Sequence, residues 1–205
     1  NKLFNKKVFT NSKNTEFNKI FNKFNISKLF NSINNYSEAA EIRYVGGCVR
    51  KVLNKEEIDD IDLATNLNPE EVKKCFDLNE IKYFETGLKH GTITAIIKNK
   101  NFEITSLRKD LTSDGRHSVV EFTDDWLIDA QRRDFTINSI YADVNGNLFD
   151  PFDGKEDLKK GKIKFIGDPN TRIQEDYLRI LRYVRFFLNY SNQPHDTDIK
   201  KIIKQ

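Results

Sequence analysis

The sequence lacks several features that would assign it to a specialised class of protein. It holds only two cysteines, Cys48 and Cys75, in 205 residues, which is too few for a disulfide framework, and their spacing fits no metal-ligand motif. No apolar run approaches the roughly 18 residues that a membrane-spanning helix needs. The first residues include lysines but no continuous apolar core and no small-residue cleavage site, so they do not match the pattern of a secretory signal peptide. We therefore predict a cytoplasmic protein with reduced cysteines and no membrane role.

No single sign of charge dominates the chain. Its 34 lysines and arginines face 31 acidic residues, and 38% of the residues are hydrophobic, which is the composition of a globular chain with a substantial core. The charge is uneven, because residues 1–30 contain seven lysines and one glutamate. A solvated surface is the simpler interpretation of these lysines, and contact with a polyanion is the alternative.

Residues 43–65, reading RYVGGCVRKVLNKEEIDDIDLAT, concentrate groups that suit a metal and a triphosphate. A short strand is predicted at 42–45. Gly46 and Gly47 then permit a turn that larger residues resist, and their backbone amides can approach phosphate oxygens. Arg50, one helical turn later, adds a positive charge. A tight turn without any ligand is the alternative interpretation.

Two carboxylates in this stretch, Asp60 and Asp62, are separated by one residue. On a strand predicted at 60–64 they would share a face, because strand side chains alternate with a period of two. They could then bind Mg²⁺, which takes oxygen ligands from carboxylates and substrate phosphates. Asp59 is out of phase with the pair. Glu103, in the otherwise apolar strand FEITSL, is the best third carboxylate, and an exposed strand acid is an equally good interpretation of it.

The run RRDFTIN places two guanidinium groups, a carboxylate and an amide beside a predicted strand at 135–144. These side chains are Arg132, Arg133, Asp134 and Asn138. So many charged groups are unusual for core packing, so we favour a role in nucleotide binding.

A second charged pair, Asp176 and Arg179, lies on a long helix predicted at 171–188. Residues three apart share a helix face. The pair is either an ordinary ion pair or a set of donors and acceptors for the edge of a base, and spacing does not separate the two. His90, in GLKHGT, is a candidate general base, although a histidine in a glycine-flanked turn more often makes a local hydrogen bond.

The remaining pattern predicts an α+β fold, rich in strands up to residue 150 and helical afterwards. An amphipathic helix at 15–33 should bend near Asn25, and Asn68 should begin a helix that ends near Phe76. Strands at 81–84, 93–97 and 102–107 include one hairpin, and another hairpin should turn at Asn145-Gly146. The polar segment 108–120 is predicted to be a mobile loop.

Taken together, these motifs resemble the class II tRNA nucleotidyltransferases and the related bacterial poly(A) polymerases of the DNA polymerase β superfamily. YVGGCVRKVL with DDIDLAT, TGLKHGT, FEITSLR, SDGRH, RRDFTIN, DPFDG and RIQEDYLRILRYVRF occur in the family's order over about residues 40–188. The resemblance implies a nucleotidyltransferase head domain with a mixed β-sheet and flanking helices at 1–150, followed by an α-helical neck at 151–205.

The resemblance also implies a magnesium-dependent enzyme that adds CCA to tRNA 3′ ends from CTP and ATP. Asp60 and Asp62 would bind the catalytic magnesium ions, and Gly46, Gly47 and Arg50 would belong to the triphosphate motif. The later motifs match residues that hold the ribose and phosphates (Arg132, Arg133, Asp134 and Asn138) and the amino-acid template that selects the base (Asp176 and Arg179). Segment 108–120 matches the loop associated with the switch from C to A addition.

Other activities remain open at this point. Poly(A) addition and partial addition of CC or A use the same motifs, and a head-neck fragment that binds nucleotide and RNA without turnover is an alternative of another class. The chain lacks a leading methionine and stops at Gln205, soon after the predicted neck begins, so we expect either a trimmed fragment or a reduced enzyme. Ser118 stands where the family often has proline.

Overall fold

A computed structural model describes residues 9–10, 15–113 and 118–203. The chain opens with a short strand, β1 (Phe9–Thr10), and two helices, α1 (Thr15–Phe24) and α2 (Ser27–Asn34). The predicted bend is confirmed, because Asn25 separates the helices with a left-handed φ of 54°, a conformation that asparagine tolerates better than most residues. The apolar stripe of both helices is buried in the main core.

The central elements alternate between strands and helices before the chain forms a hairpin. They are β2 (Ile42–Val45), α3 (Gly47–Leu53), β3 (Asp62–Thr65), α4 (Pro69–Leu78), β4 (Lys82–Gly87), a 3₁₀ turn (Leu88–His90), β5 (Thr92–Ile97) and β6 (Lys100–Ser106). The predicted start of α4 is confirmed. Asn68 Oδ1 accepts from the backbone N–H of Glu71, and the Glu71 carboxylate accepts from that of Asn68, both at 2.9 Å, which forms a capping box.

The predicted loop at 108–120 is wrong for the residues that the structure describes. They form an antiparallel hairpin of β7 (Arg108–Ser113) and β8 (Ser118–Phe122). The sequence SVVEF carries β-branched and aromatic residues that favour strands, and this preference outweighs the polar character of the segment. Asp114-Gly115 lies outside the described residues.

The predicted strand at 135–144 is also wrong over most of its length. After α5 (Trp126–Gln131), a 3₁₀ turn (Thr136–Asn138) precedes β9 (Tyr141–Ala142), which pairs with β10 (Leu148–Phe149) as the predicted hairpin. Two side-chain hydrogen bonds, one local and one across 21 positions, compete with the strand. Asp134 Oδ1 accepts from the backbone N–H of Phe135 at 2.8 Å, and the Thr136 hydroxyl donates to Asp157 Oδ2 at 2.7 Å.

The C-terminal part contains α6 (Gly154–Lys159), α7 (Pro169–Glu175), α8 (Leu178–Tyr190) and α9 (Thr197–Ile203). The single helix predicted at 171–188 is wrong, because Asp176 is extended (φ −157°, ψ 104°) and divides α7 from α8. Its Oδ1 accepts from the backbone N–H of Leu178 at 3.0 Å, so the side chain supports the first turn of α8. Within the described part of the chain, no helix is long and apolar enough to cross a membrane.

One eight-stranded sheet organises the fold, in the order β1-β10-β9-β2-β3-β6-β5-β4. All its neighbouring pairs are antiparallel except β3 and β6, which run parallel. Leu63 and Ile104 on these two strands point into the main core under α1 to α4. Because side chains alternate along a strand, Asp62 and Glu103 point to the other face. The mixed α+β fold predicted from the sequence is therefore confirmed.

Candidate functional site

A cavity of about 700 Å³ lies over the second face of the sheet, between β2, β3 and β6 on one side and α8 on the other. All the predicted site residues except Asp60 line it. The fold therefore brings together groups that are up to 133 positions apart in the sequence, from Gly46 to Arg179. A larger cavity, of about 880 Å³, lies between α8 and α9 and includes none of the predicted residues.

The carboxylates of Asp62 and Glu103 stand next to each other, because their Cα atoms are direct partners in the parallel pair of β3 and β6. Asp62 is open to the cavity, yet the surrounding protein partly desolvates it. This desolvation raises the pKa of Asp62, as does the charge of Asp60, against the opposing effects of Arg133 and Arg50. A cation bound between the two strands would therefore be stabilised by the negative charges of the neighbouring carboxylates.

Asp60 is placed differently from the prediction. The strand begins at Asp62 rather than at residue 60, so Asp60 precedes the strand, although its charge still acts on Asp62. Asp59 interrupts the strand, since it accepts from Lys51 Nζ and from the backbone N–H of Asp60. Asp60 lines an adjoining cavity of about 600 Å³, which shares Asp62 and Glu103 with the first.

The predicted turn at Gly46-Gly47 connects β2 to α3. Gly46 has a φ of 67°, which favours glycine, and its backbone N–H donates to Ile140 O at 3.2 Å. Arg50 is buried, and one of its amino groups donates to Asn138 Oδ1. The guanidinium carbon of Arg50 lies 4.8 Å from the centre of the Phe186 ring. This arginine is held by α8 as well as by its own helix.

Asp129, which sequence reasoning missed, anchors both predicted arginines. Its side chain is 1% exposed, and its oxygens accept from Arg132 Nε at 2.9 Å and from an Arg133 amino group at 3.1 Å. The hydroxyl of Tyr141 donates to Oδ2 at 2.5 Å. Burial alone would raise the pKa of Asp129, but Arg133 and Arg132 outweigh it and hold the pKa at about 2. The available signal was the spacing of three and four residues between Asp129 and the two arginines, which follow directly after α5.

Arg182 is a second functional candidate, and its contact with Asp134 could not be predicted from the sequence. It donates from Nε and from one amino group to Asp134 Oδ2, at 2.8 and 2.5 Å. Asp134 is thereby joined to α8, while its Oδ1 accepts from Asn138 Nδ2 at 3.1 Å. The only signal in the sequence was the recurrence of arginine at 179, 182 and 185.

Asp176 and Arg179 both line the cavity, but they do not form the ion pair that their spacing allows. Arg179 donates to Glu175 Oε2 at 2.5 Å and to the carbonyl of Arg172 at 2.7 Å. Arg172 in turn donates to the carbonyls of Arg132 and Arg133 at 2.7 and 2.8 Å. The helix break therefore leaves the Asp176 carboxylate outside the network that holds Arg179.

The cavity is strongly charged, with arginine in excess over carboxylate. Its lining holds Arg50, Arg108, Arg132, Arg133, Arg179, Arg182 and Arg185 against Asp62, Glu103, Asp110, Asp134 and Asp176. Such a lining suits a polyanion that also carries hydrogen-bonding groups. His90 is not part of it; its carbonyl accepts from Arg108.

The described residues contain no group of three or more His, Cys, Asp or Glu side chains arranged to hold a metal ion. The carboxylates available for a metal are Asp62, with Glu103 beside it on the next strand, and Asp60, which lines the adjoining cavity with both. Two carboxylates suit a hard cation such as Mg²⁺ when substrate phosphates and water complete its shell.

Comparisons with known proteins bear on the family and on the fold. A family model described as the poly(A) polymerase head domain matches residues 42–164. The human protein named CCA tRNA nucleotidyltransferase 1, mitochondrial, is 52% identical over 162 residues, which cover 78% of this chain and 37% of the human one. This chain thus spans well under half the length of that relative.

Two solved structures show the same fold. The CCA-adding enzyme of Bacillus stearothermophilus in complex with CTP has a TM-score of 0.73 and 32% identity, over 87% of this chain and 42% of that one. A tRNA nucleotidyltransferase complexed with a primer tRNA and an incoming ATP analog has a TM-score of 0.62 and 26% identity, over 92% of this chain and 49% of that one.

Proposed function

Because this chain belongs to the poly(A) polymerase head-domain family, we propose that it is the catalytic part of a nucleotidyltransferase that adds CCA to tRNA 3′ ends from CTP and ATP. One observation carries the proposal. Asp62 and Glu103, side by side on parallel strands, face a cavity lined by arginines from four separate parts of the chain. The similar proteins named above as CCA-adding enzymes or tRNA nucleotidyltransferases give the substrates.

The cavity has one end for phosphate and another for the base. Gly46, Gly47 and Arg50 lie beside Asp62, so the triphosphate would bind there, near the carboxylates. Asp176 and Arg179 lie on the opposite wall, where an acceptor and a donor could meet the edge of a base. Arg132 and Arg133, anchored by Asp129, would contact phosphate oxygens and the ribose between the two ends.

The reaction transfers a nucleotidyl group in one displacement. The terminal tRNA hydroxyl oxygen bonds to the α-phosphorus, the bond from that phosphorus to the bridging α–β oxygen breaks, and pyrophosphate leaves while the hydroxyl proton passes to water. Asp60 and Asp62, with Glu103 as a third carboxylate, would hold the divalent metal ions, which would supply activation of the hydroxyl and neutralisation of the charge on the departing phosphates. Arg50 and Arg133 would orient the phosphates and stabilise their negative charge.

The finer assignments belong to the same proposal. A divalent metal follows from the family's chemistry, and Mg²⁺ is our choice because it is bound through one or two carboxylates together with substrate phosphates.

We propose a head domain at 1–150 and a neck domain at 151–205. Phe135 and Ile137 pack with the later helices, so the two parts share one apolar cluster. We propose a cytoplasmic location, with the mitochondrial interior, suggested by the name of the human relative, as the alternative.

An incorporation assay tests the proposal. The chain would be incubated with Mg²⁺, labelled CTP or ATP, and tRNA that ends before CCA or after CC. We expect two C residues and then one A to be added, and no extension of tRNA that already ends in CCA. Long A tails on unrelated RNA would instead identify a poly(A) polymerase. Nucleotide binding without incorporation would identify a head-neck part that cannot turn over alone.

A further inference from the structure

A circuit of side chains joins α8 to the turn at Gly46-Gly47. Arg182 on α8 donates twice to Asp134 Oδ2, and Asp134 Oδ1 accepts from Asn138 Nδ2 at 3.1 Å. Asn138 Oδ1 accepts from Arg50. Arg50 completes the circuit by lying over two rings of α8, at 4.8 Å from the centre of Phe186 and 5.0 Å from that of Tyr190. The circuit therefore begins and ends on the same helix.

Asp134 is the junction of the circuit, and its bonding is complete. Its two oxygens accept from both Arg182 donors, from Asn138 and from the backbone N–H of Phe135. An ionised carboxylate has about four acceptor positions. The Asp134 side chain is 10% exposed. Nε and an amino group of one planar guanidinium both donate to the same oxygen, Oδ2, so the contact fixes the direction of Arg182 as well as its distance. Arg182 thereby ties α8 to the 3₁₀ turn at Thr136–Asn138.

Arg182 is also placed to act on the base end of the cavity. It follows Arg179 by three residues on α8, so the two side chains lie on neighbouring positions of one helix face. Arg50, at the far side of the circuit, belongs to the helix that follows the phosphate-facing glycines. The circuit thus sets the distance between the base-facing wall and the phosphate-facing turn.

We propose that Arg182 is a positioning residue for nucleotide selection. Through Asp134, Asn138 and Arg50 it holds Asp176 and Arg179 at a fixed separation from the phosphate-facing turn, so that only a base of the right shape and polarity meets them. This inference rests on the proposed function. A nucleotide that spans both ends needs the circuit, whereas a ligand that occupies only the phosphate end does not.

Calorimetric binding of three ligands tests the inference. CTP, UTP and inorganic pyrophosphate, each with Mg²⁺, would be titrated into the 205-residue chain and into Arg182→Gln. We expect Arg182→Gln to bind CTP about tenfold more weakly, the effect of one lost charge-assisted pair, and to lose most of its preference for CTP over UTP. Pyrophosphate binding should be unchanged. Asn189→Ala, exposed on the same helix and outside the cavity lining, should behave as the native chain does.

Each contrary result has a distinct meaning. If Arg182→Gln prefers CTP over UTP as strongly as the native chain does, the inference alone is overturned. Equal losses of affinity for CTP and for pyrophosphate also overturn it, because they indicate general damage to the site. A native chain that binds none of the nucleotides overturns the proposed function together with the inference.

A second variant covers the case in which Arg182→Gln does not fold. Arg182→Lys keeps the charge but lacks the paired donors, and we expect it to retain CTP binding with an intermediate preference over UTP. In a double-mutant cycle with Asp134→Asn, the effects of the two substitutions on the free energy of CTP binding should be strongly coupled, because the two side chains act through one contact. Additive effects of the two substitutions would overturn the inference.

Discussion

Asp62 and Glu103 are direct neighbours across the only parallel strand pair in the described sheet. The pairing places both carboxylates on the face that the main core does not cover. Residues 41 positions apart thus form one pair, and the pair adjoins both the arginine-lined cavity and the smaller cavity that contains Asp60. A metal ion held there would be accessible from both cavities.

Glu103 is therefore predicted to bind the metal together with Asp62. Glu103→Gln keeps the size of the side chain but removes its charge, so we expect Mn²⁺, used in place of Mg²⁺, to bind at least tenfold more weakly in the presence of CTP. Electron paramagnetic resonance of free Mn²⁺ measures this directly. Glu121→Gln, an exposed strand acid on β8 outside both cavities, is the matched control. If Glu103→Gln binds Mn²⁺ as tightly as the native chain does, Glu103 is an exposed strand acid and not a metal ligand.

Asp129 is predicted to be essential for stability and for the placement of Arg132 and Arg133. Asp129→Asn leaves two partly buried guanidinium groups without the buried carboxylate that balances their charge, which costs about 3 kcal/mol in the free energy of unfolding. Urea denaturation measures the loss. The control is Asp125→Asn on the same helix, where the residue caps the first turn and asparagine caps equally well. If Asp129→Asn is no less stable than Asp125→Asn, the anchoring role is wrong.

The pKa of Asp129 predicts a specific acid sensitivity. Its folded-state pKa, about 2, lies below its usual value of 3.8, so the native state binds this proton more weakly than the unfolded chain does. The resulting stabilisation is complete above about pH 4 and is lost as the pH falls towards 2, by about 2 kcal/mol.

Denaturation of the native chain and of Asp129→Asn between pH 6 and 2.5 would measure this acid sensitivity, with those limits set by the pKa range of aspartate. The stability difference between the two proteins should narrow as the pH falls. A constant difference would show that Asp129 does not titrate as the contacts require.

Gly154 is predicted to tolerate no side chain. A Cβ atom at this position would lie 2.1 Å from the carbonyl oxygen of Thr136, so Gly154→Ala must displace the 3₁₀ turn that carries Asn138. We expect a loss of about 1–3 kcal/mol in stability and weaker CTP binding, measured by urea denaturation and calorimetry. Gly87→Ala, whose Cβ would meet only ordinary contacts at 3.7 Å, is the control. Equal behaviour of the two variants would refute the close approach.

The sequence predicted the elements whose signals are local. The capping box at Asn68 and Glu71 and the bend at Asn25 depend on neighbouring residues, and both are confirmed. The helix break at Asp176 was missed, because helical periodicity continues on both sides of it. The β7–β8 hairpin was missed because polar composition was given more weight than the strand preference of SVVEF.

The site was predicted where residue type and motif sufficed, and missed where tertiary contacts decide. Asp129 is buried under two arginines, and Arg182 reaches Asp134 from 48 positions away. No rule based on spacing in the sequence predicts such a contact. The strand predicted at 60–64 begins two residues later, at Asp62. The role of Asp60 as a metal ligand stays a prediction, and its carboxylate lines the adjoining cavity together with Asp62.

The central claim is that nucleotide binds in this cavity through a metal ion held at Asp62. Calorimetric titration of CTP with and without Mg²⁺, into the native chain and Asp62→Asn, tests it most directly. We expect Mg²⁺ to strengthen CTP binding to the native chain and to have little effect on Asp62→Asn, while urea denaturation shows both proteins to be folded. Equal, Mg²⁺-dependent CTP binding by the two proteins would contradict it.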